Sequence, residues 1–349
     1  MINANYIFIK TTNMISKLVY PLGVVKYCRN YSDLRLVFYH GIGCSTSPCL
    51  RFLYDEISID VFESQIDFLI NNYEILSLHE ALNNINDKPY SLKKPICSIS
   101  FDDGLQSVYK KAFPILKQKK IPAMVFLSTS VIGNISLLWT HLINYLISEF
   151  GIKTITILFN KYKSLLLEEA PENEFYIQDW YKKNYENNLE NKLLSKVLTH
   201  LNLSLSEIAQ EQNLYLSWKE IEEMEKYDFT FCSHTSNHTP LAYLKNEELR
   251  KSEIFDAYSI LRDRKMNLDY VSFPFGMRSD YGEKAIEDAF RIGHKYVLEV
   301  GYGTNNHNKA GKSRILARVG LGCVDSRSYN LFSAIELRPR VKTFIKGIA

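Results

Sequence analysis

Seven short runs rich in β-branched and aromatic residues recur along the chain, and helical stretches separate them. Several of these runs are apolar on both faces, which is typical of strands that are covered on both sides, as in a parallel sheet. The runs are residues 34–40, 73–77, 95–101, 123–129, 229–235, 270–276 and 296–300. Repeated βα units close into a barrel or form an open sheet, and about seven strands favour an α/β fold with an irregular (β/α) barrel.

Residues 151–215 break this alternation. They are rich in Leu, Asn, Lys and Glu, and they contain no glycine after Gly151 and a single proline, Pro171, so a flexible linker describes them poorly. We predict a helical insertion of two or three helices. A further helix is predicted to begin after Asn246, a favourable N-cap residue.

Composition and charge exclude several classes of protein. The chain is 46% hydrophobic and 23% charged, and its net charge is only +3, so we expect no binding to nucleic acid. None of the six cysteines belongs to a C-x-x-C pair. This pattern favours free thiols in a reducing compartment over a disulfide framework, with Cys44 and Cys49 as the one pair that a loop could join.

The two ends of the chain bear on its location. The N-terminal residues lack the pattern of a secretory signal, and no run approaches the ~20 apolar residues of a membrane-spanning helix. We therefore expect a cytoplasmic protein. Residues 15–27 and 338–348 mix basic with apolar side chains, a pattern that either packs on the domain or makes a peripheral contact with a membrane surface.

Polar residues that a core would not select follow four of the predicted strands. They are His40, the pair Asp102 and Asp103, the segment 233–238 and the turn 274–276. In (β/α) barrels the functional side chains cluster at the carboxyl ends of the strands. We therefore expect these four positions to form one site.

The segment 233–238 reads SHTSNH. If the chain enters a helix after the strand, His234 and His238 point to one side and can bind one metal ion. Taken alone, this spacing is explained better by two surface histidines or by a histidine that caps a helix. A carboxylate from the aspartate pair changes the balance, because two histidines and one carboxylate leave a position for water, as in hydrolytic metal sites.

The second carboxylate of the pair can then accept a proton from that water. The alternative for Asp102 and Asp103 is that they cap a helix from Leu105, where acidic side chains are favourable. Residues 273–276, FPFG, are typical of a turn. In a hydrolytic site, such a turn also directs a backbone N–H at the cavity, where it can stabilise an oxyanion.

The order of these motifs resembles that of the polysaccharide deacetylase family, carbohydrate esterase family four, whose members are irregular (β/α) barrels of seven strands. The segments that carry the resemblance are LVFYHGI, FESQIDFLINNYEILSL, SISFDDG, AFPILKQKKIPAMVFLST, SHTSNHTPL and SFPFG. The resemblance implies a catalytic barrel over residues 34–322 with the insertion at about 151–215. Residues 1–33 are then an N-terminal extension and residues 323–349 a C-terminal helical tail.

The resemblance implies a role for each site residue. Asp103, His234 and His238 are implied as ligands of a divalent metal ion, most often Zn²⁺. Asp102 is implied as the catalytic base, and the backbone N–H of Phe275 as a donor to the tetrahedral intermediate. The implied reaction is hydrolysis of an N-acetyl group of a sugar to an amine and acetate.

Two positions depart from the family pattern. Many members have an arginine in the third motif that orients the base, whereas this chain reads VSFP at 271–274, which predicts a weaker contact. The late histidine that supplies a proton to the leaving amine is not evident, because residues 315–322, ILARVGLG, have Arg318 there. The general acid is thus unassigned, and Asp102 is a candidate for both proton transfers.

Six other residues have supporting or alternative interpretations. Thr235 is implied to steady the histidine loop, and His40 is expected near the site. Trp139, His141 and Arg318 are candidates for a supporting role or for the substrate groove, although Trp139 as the core anchor of a helix is an equal or better interpretation. His307, in a loop rich in Gly and Asn, is expected to be a surface residue.

These features together predict a metal-dependent hydrolase that removes the N-acetyl group from a sugar of a polysaccharide or of its lipid-linked precursor. The expected partner is an N-acetylated glycan. Two alternatives stay open: a metal-dependent hydrolase of another non-peptide amide, and a non-catalytic barrel that binds glycan.

Overall fold

The computed structural model describes residues 4–22, 33–43, 47–53, 57–87, 94–301, 305–306, 313–322 and 324–342. The strands are β1 (Asp33–Tyr39), β2 (Glu74–Ile75), β3 (Ile96–Phe101), β4 (Ala123–Leu127), β5 (Phe229–Ser233), β6 (Tyr270–Ser272), β7 (Tyr296–Val300), β8 (Asn305–Asn306) and β9 (Ile315–Gly320). Seven are parallel and close in the order β1-β3-β4-β5-β6-β7-β9 back onto β1. The predicted irregular (β/α) barrel of about seven strands is confirmed.

One strand of the ring differs from the predicted set. The run 73–77 forms only the two-residue strand β2, which pairs with the start of β3, because Tyr73 still closes the preceding helix through its N–H. The seventh strand of the ring is β9, which pairs with β7 and β1. Its apolar pattern is interrupted by Arg318, which is why the sequence does not read as a strand there.

Alternate side chains of the strands fill the interior of the barrel, as the two-residue period of a strand requires. Apolar residues of this interior cluster include Leu34, Leu36, Met124, Phe126 and Leu298, and the helix Leu78–Asp87 packs against them. The opposite faces of the same strands contact the outer helices, so the strands are buried on both sides.

The outer helices around the barrel are Ile59–Asn72, Leu78–Asp87, Phe113–Lys119, Trp218–Glu225, Glu247–Asp263, Arg278–Ile292 and Ser328–Phe332. Wider helical turns span Val108–Ala112 and Ser333–Leu337. The predicted N-cap is confirmed, because the side chain of Asn246 accepts hydrogen bonds from the N–H groups of Glu248 and Leu249. These first N–H groups have no partner within the helix itself.

The insertion contains more helices than predicted and its first helix begins earlier. Its helices are Trp139–Phe150, Ile152–Tyr162, Tyr176–Lys183, Tyr185–Glu190, Leu193–His200 and Leu205–Gln212. The prediction of two or three helices was wrong, because residues with left-handed backbone conformation end helices here without glycine or proline. Lys192, Asn202 and Asn213 have φ values of 51°, 53° and 42°, and asparagine tolerates this region better than most residues.

The two ends of the described chain pack on each other outside the barrel. The helix Ala4–Val19 contacts the segment 328–337, with the rings of Tyr20 and Phe332 5.9 Å apart. Arg338 Nη2 donates to Asn13 Oδ1 at 2.8 Å. Among the described residues, no helix has the length and apolar character needed to cross a membrane.

The cysteines that the structure describes are free thiols. Cys49, Cys97 and Cys232 are buried, and burial raises the pKa of the Cys49 thiol to about 12. Cys44, the suggested partner of Cys49, lies outside the described residues, as does His307.

Candidate active site

The residues predicted at the strand ends meet at the carboxyl end of the barrel. His40 follows β1, Asp102 and Asp103 follow β3, His234 follows β5, and Phe275 lies in the turn after β6. All belong to strands of one closed parallel ring. Their convergence is the geometric consequence of parallel strands that end at the same rim.

Asp103, His234 and His238 form a buried cluster. Asp103 Oδ1 lies 3.4 Å from Nε2 of His234 and 3.4 Å from Nε2 of His238. One ligand atom of each residue lies within 4.8 Å of the others, and all three side chains are buried. The residues predicted as metal ligands are therefore brought together.

The local backbone differs from the predicted helix. Residues 234–238 form a non-helical turn in which Thr235 and His238 have φ values of 65° and 56°. Asp103, with φ 68°, also lies in the left-handed region. Few residues other than glycine adopt this region without strain, and such strain is concentrated at functional sites.

The hydrogen bonds of His234 fix which nitrogen is free to act as a ligand. His234 Nδ1 lies 2.7 Å from the carbonyl oxygen of Ser272. Because a carbonyl only accepts, Nδ1 carries a hydrogen, and Nε2, which faces Asp103, is the nitrogen that could bind an ion once it carries no proton. A backbone contact of this kind is the usual way in which proteins orient histidines that bind metals.

The charges in the cluster suit a divalent cation. Burial lowers the pKa of His238 to about 3, so this imidazole is neutral and able to ligate. Burial alone would raise the pKa of Asp103, but the neighbouring histidines hold it well below its usual value. Burial would lower the pKa of His234, but the hydrogen bond to Asp103 and the charge of Asp102 raise it, and a cation held by the three side chains would take the place of that proton. Two imidazoles and one carboxylate match the donors that zinc and similar metals prefer. The residues therefore fit the implied metal ion.

The other aspartate of the pair faces a buried arginine. Arg318 Nη1 donates to Asp102 Oδ1 and Arg318 Nη2 to Asp102 Oδ2, each at 2.8 Å. Burial would raise the pKa of Asp102, but the charge of Arg318 outweighs it and the pKa is lowered. Asp102 is thus an oriented, ionised carboxylate beside the cluster.

The alternative that the aspartates cap a helix is wrong for Asp102. Both of its oxygens accept from Arg318, and the N–H of Gln106, where the following helix starts, donates to the carbonyl of Leu214 at 2.8 Å. The chain that follows the helix Leu205–Gln212 thus accepts from the N–H of Gln106. The two aspartates therefore remain candidate residues of the site.

Arg318, which the sequence suggested only as a supporting or groove residue, is the partner of Asp102. It is 1% exposed, and its Nη1 and Nη2 also donate to Ser100 Oγ at 3.1 Å and to Ser272 Oγ at 2.5 Å. Its guanidinium lies 4.7 Å and 5.0 Å from the ring centroids of Phe38 and Phe126. The weakened contact to the base that residues 271–274 predicted is corrected here: β9 supplies the arginine, and Ser272 of the third motif supports it.

The turn after β6 brings Phe275 to the histidines. Phe275 has φ 64°, and its ring centroid lies 4.9 Å from that of His238. At Gly276, with φ 69°, a Cβ atom would come within 2.2 Å of Val300 Cγ2, so only glycine fits. Within the described part of the chain, the Phe275 N–H donates to no other group.

Trp139 supports the histidine turn from the insertion. Its Nε1 donates to the carbonyl oxygen of His238 at 3.0 Å, and its ring stacks on Tyr181 with centroids 5.0 Å apart. The indole is buried, which agrees with its interpretation as a core anchor and not with an open groove. The helix Trp139–Phe150 therefore contacts the turn that carries the two histidines.

His141 is fully buried and contacts Tyr215. The hydroxyl of Tyr215 accepts from the N–H of Leu138 at 3.0 Å and lies 2.6 Å from His141 Nδ1. Burial lowers the pKa of His141 to about 4, so it is neutral. The structure thus places His141 below the surface, and it does not line an open groove.

His40 and Thr235 complete the predicted set. His40 is half-buried; burial lowers its pKa, which the charges of Asp103 and Asp102 oppose. Thr235 is buried, its carbonyl oxygen accepts from the N–H of Thr129 at 3.2 Å, and its own N–H donates to Ser233 Oγ at 3.3 Å. These bonds tie the histidine turn to the ends of β4 and β5.

Comparison with known proteins agrees with this geometry. Residues 90–297 match the model of the family described as polysaccharide deacetylase. Over 130 residues the chain is 29% identical to poly-beta-1,6-N-acetyl-D-glucosamine N-deacetylases of Staphylococcus aureus strains N315 and MW2. That alignment covers 37% of this chain and 36% of each relative, so the chain spans about a third of the length of the curated relatives it matches.

Two solved structures share the fold. The Streptococcus pyogenes deacetylase PplD, solved in complex with acetate, aligns with a TM-score of 0.55 and 17% identity over 87% of this chain and 98% of that chain. IcaB from Ammonifex degensii aligns with a TM-score of 0.52 and 18% identity over 87% of this chain and 97% of that chain. At this identity the likeness concerns the fold. The family match spans more than half of the chain, and this protein belongs to the polysaccharide deacetylase family.

Proposed function

We propose that this protein is a metal-dependent hydrolase that removes the N-acetyl group from a sugar of a polysaccharide or of its lipid-linked precursor. The observation that carries the proposal is the buried cluster of Asp103, His234 and His238 beside Asp102, whose carboxylate Arg318 holds through both oxygens. The carboxylate of Asp103 faces the two histidines, and that of Asp102 is oriented as a base. A merely structural metal site needs no such second carboxylate.

Asp103, His234 and His238 would hold the ion, and we propose Zn²⁺. When bound, such an ion polarises a carbonyl group and lowers the pKa of water from ~16 towards ~7. Asp102 accepts the proton of the water that attacks the acetyl carbonyl. Because Arg318 lowers the pKa of Asp102, this carboxylate is ionised and ready to accept at neutral pH.

The Phe275 N–H is the proposed donor to the oxyanion. It lies in the turn that contacts His238, and it donates to no other group in the described part of the chain. The positive φ values of Phe275 and Gly276 hold this turn in one conformation. A preorganised N–H that points at the developing charge costs no reorganisation during the reaction.

For the proton that the leaving amine needs, we propose His40. Asp102 is bound by Arg318 through both oxygens, and His141 is fully buried with Nδ1 at the hydroxyl of Tyr215. His40 is the half-buried imidazole beside both carboxylates. Burial lowers the pKa of His40, so His40 would pass to the leaving amine the proton that Asp102 takes from the attacking water, and both groups would return to their starting states.

A leaving-group comparison tests this assignment. His40→Asn should slow acetate release from an N-acetyl sugar but largely spare hydrolysis of an aryl acetate ester, because a phenolate leaves without a proton. Asp102→Asn should slow both reactions, since the attack on the carbonyl is common to them. Equal loss of both reactions in His40→Asn would remove His40 as the acid.

The substrate class follows from relatives named as N-deacetylases of poly-beta-1,6-N-acetyl-D-glucosamine. The experiment is to measure the metal content of the purified protein and acetate release from N-acetylated oligosaccharides, with Asp102→Asn as the inactive control. We expect about one divalent ion per chain, as three protein ligands require, and acetate release that the control lacks. Bound metal without acetate from any N-acetyl sugar would favour another amide, and binding of glycan with no hydrolysis of any amide would favour a non-catalytic barrel.

A further inference from the structure

The N-terminal helix Ala4–Val19 buries small polar side chains and exposes several apolar ones, while Val19 at its end packs against the core. Its buried face contains small polar residues: Thr12 is 2% exposed and Ser16 is fully buried. The opposite face carries Ile7, Met14 and Leu18, which are 52%, 61% and 67% exposed. A helix that only covers a core buries its apolar stripe. An exposed stripe of this kind marks a surface that contacts something else.

The exposed apolar residues lie along one face of the helix. Ile7, Met14 and Leu18 are seven and four residues apart, a spacing that places them on one face, with the exposed Thr11 between Ile7 and Met14. Ile15 extends this stripe on one side, and Leu22, in the turn after the helix, is also exposed. Lys10 and Lys17, both exposed, border it on the other side.

The charge around the stripe is of one sign. The first 32 residues and the residues after Glu336 contain Lys and Arg but no Asp or Glu. The structure brings the two ends together, because the helix packs on the segment 328–337 and Asn13 accepts from Arg338. The long stems of Lys10 and Lys17 can cover apolar surface while their ammonium groups reach an anionic layer.

We propose that the stripe of Ile7, Met14, Ile15, Leu18 and Leu22, with Lys10 and Lys17 beside it, docks the protein on the surface of a membrane that contains anionic lipids. The apolar stripe enters the boundary between headgroups and acyl chains, and the lysines contact the headgroups. Helices with one apolar face and lysines on its border bind membranes in this way. This inference does not depend on the proposed hydrolytic function.

A second exposed apolar site in the same molecule provides a matched control. Leu165 and Leu166, in the turn after the helix Ile152–Tyr162, are 99% and 93% exposed, more than any residue of the stripe. Glu168 and Glu169 follow them in the sequence. If exposed leucines alone bound membranes, this turn would bind as well as the helix, whereas its acidic neighbours disfavour an anionic surface.

The experiment is co-sedimentation of the full chain with vesicles of phosphatidylcholine, with and without phosphatidylglycerol, at low and high salt. We expect binding to the mixed vesicles that salt weakens. The pair Met14→Glu and Leu18→Glu should weaken it roughly tenfold or more, because it places charges in the apolar stripe. The control pair Leu165→Glu and Leu166→Glu should bind like wild type.

Four results would overturn the proposal: no sedimentation of the wild type, equal binding to vesicles without phosphatidylglycerol, equal loss in both pairs of variants, or a dimer that Met14→Glu and Leu18→Glu dissociate while no vesicle binds. The last result would assign the stripe to a second copy of the chain. Acetate release from a soluble oligosaccharide should be the same in all variants, so failure of the hydrolytic proposal is seen separately.

Discussion

Two arginines on the neighbouring strands β1 and β9 are each bound by a buried carboxylate. Arg35 donates from Nε and Nη2 to Glu336 at 3.1 Å and 2.7 Å. Arg318 donates from Nη1 and Nη2 to Asp102, each at 2.8 Å. In the register of these strands Val37 lies opposite Val319, so the two arginines point to opposite faces of the sheet.

The role of each ion pair depends on the face of the sheet on which it lies. Arg35 and Glu336, the outer pair, lie between β1 and the C-terminal segment and attach that segment to the barrel. Arg318 and Asp102, the inner pair, lie inside the barrel at the rim where the histidines meet. Ion pairs of the same chemistry and burial thus serve the fold on one face and the site on the other. Variants that remove one partner at a time test this separation.

The largest effect is expected for Arg318→Met, which keeps an apolar stem and removes the donors to Asp102. Acetate release should fall about 10²–10⁴-fold, because the base loses both its orientation and the charge that keeps it ionised. Bound metal should stay as in wild type, since Asp103, His234 and His238 are unchanged. Arg318→Lys keeps the charge but cannot donate two parallel hydrogen bonds to the carboxylate. Its acetate release should therefore lie between those of wild type and Arg318→Met. Full activity of Arg318→Met would show that Arg318 does not position Asp102.

Arg35→Met should affect the fold and leave the chemistry unchanged. Removal of Arg35 leaves the buried Glu336 with Arg340, at 3.3 Å, and the hydroxyl of Tyr73 as its remaining partners. The free energy of unfolding should therefore fall by about 3 kcal/mol, the low end for a broken buried ion pair. Chemical denaturation measures this loss, and the acetate release of the folded fraction should equal that of wild type. A loss of turnover as deep as in Arg318→Met would contradict the separation.

Removal of both partners sharpens the comparison. Arg35→Met combined with Glu336→Leu should regain most of the stability lost in Arg35→Met, because no buried charge remains unpaired. In the inner pair, Arg318→Met combined with Asp102→Leu should regain stability but no acetate release, because the proposed base is gone. Recovery of acetate release in that double variant would exclude Asp102 as the base.

The two pairs also show what sequence reasoning could reach. Asp102, Asp103, His234 and His238 were found because each stands at the end of an apolar strand, and parallel strands bring such ends together. Arg318 was predicted only as a supporting or groove residue, and its pairing with Asp102 was missed because the contact spans 216 residues and a single arginine in β9 breaks the pattern of a strand. The exposed apolar face of the N-terminal helix was equally hidden, since the sequence does not state which face packs.

The smallest effects are expected at the third partner of each pair. Tyr73 donates to Glu336 Oε1 at 3.0 Å, and Ser272 Oγ accepts from Arg318 Nη2 at 2.5 Å. Tyr73→Phe should lower the free energy of unfolding by about 1 kcal/mol and leave acetate release unchanged. Ser272→Ala should reduce kcat about fivefold, the equivalent of about 1 kcal/mol. Its backbone carbonyl still accepts from His234, so metal content should not change. If Tyr73→Phe slowed the reaction while Ser272→Ala did not, the two faces of the sheet would not divide structure from chemistry.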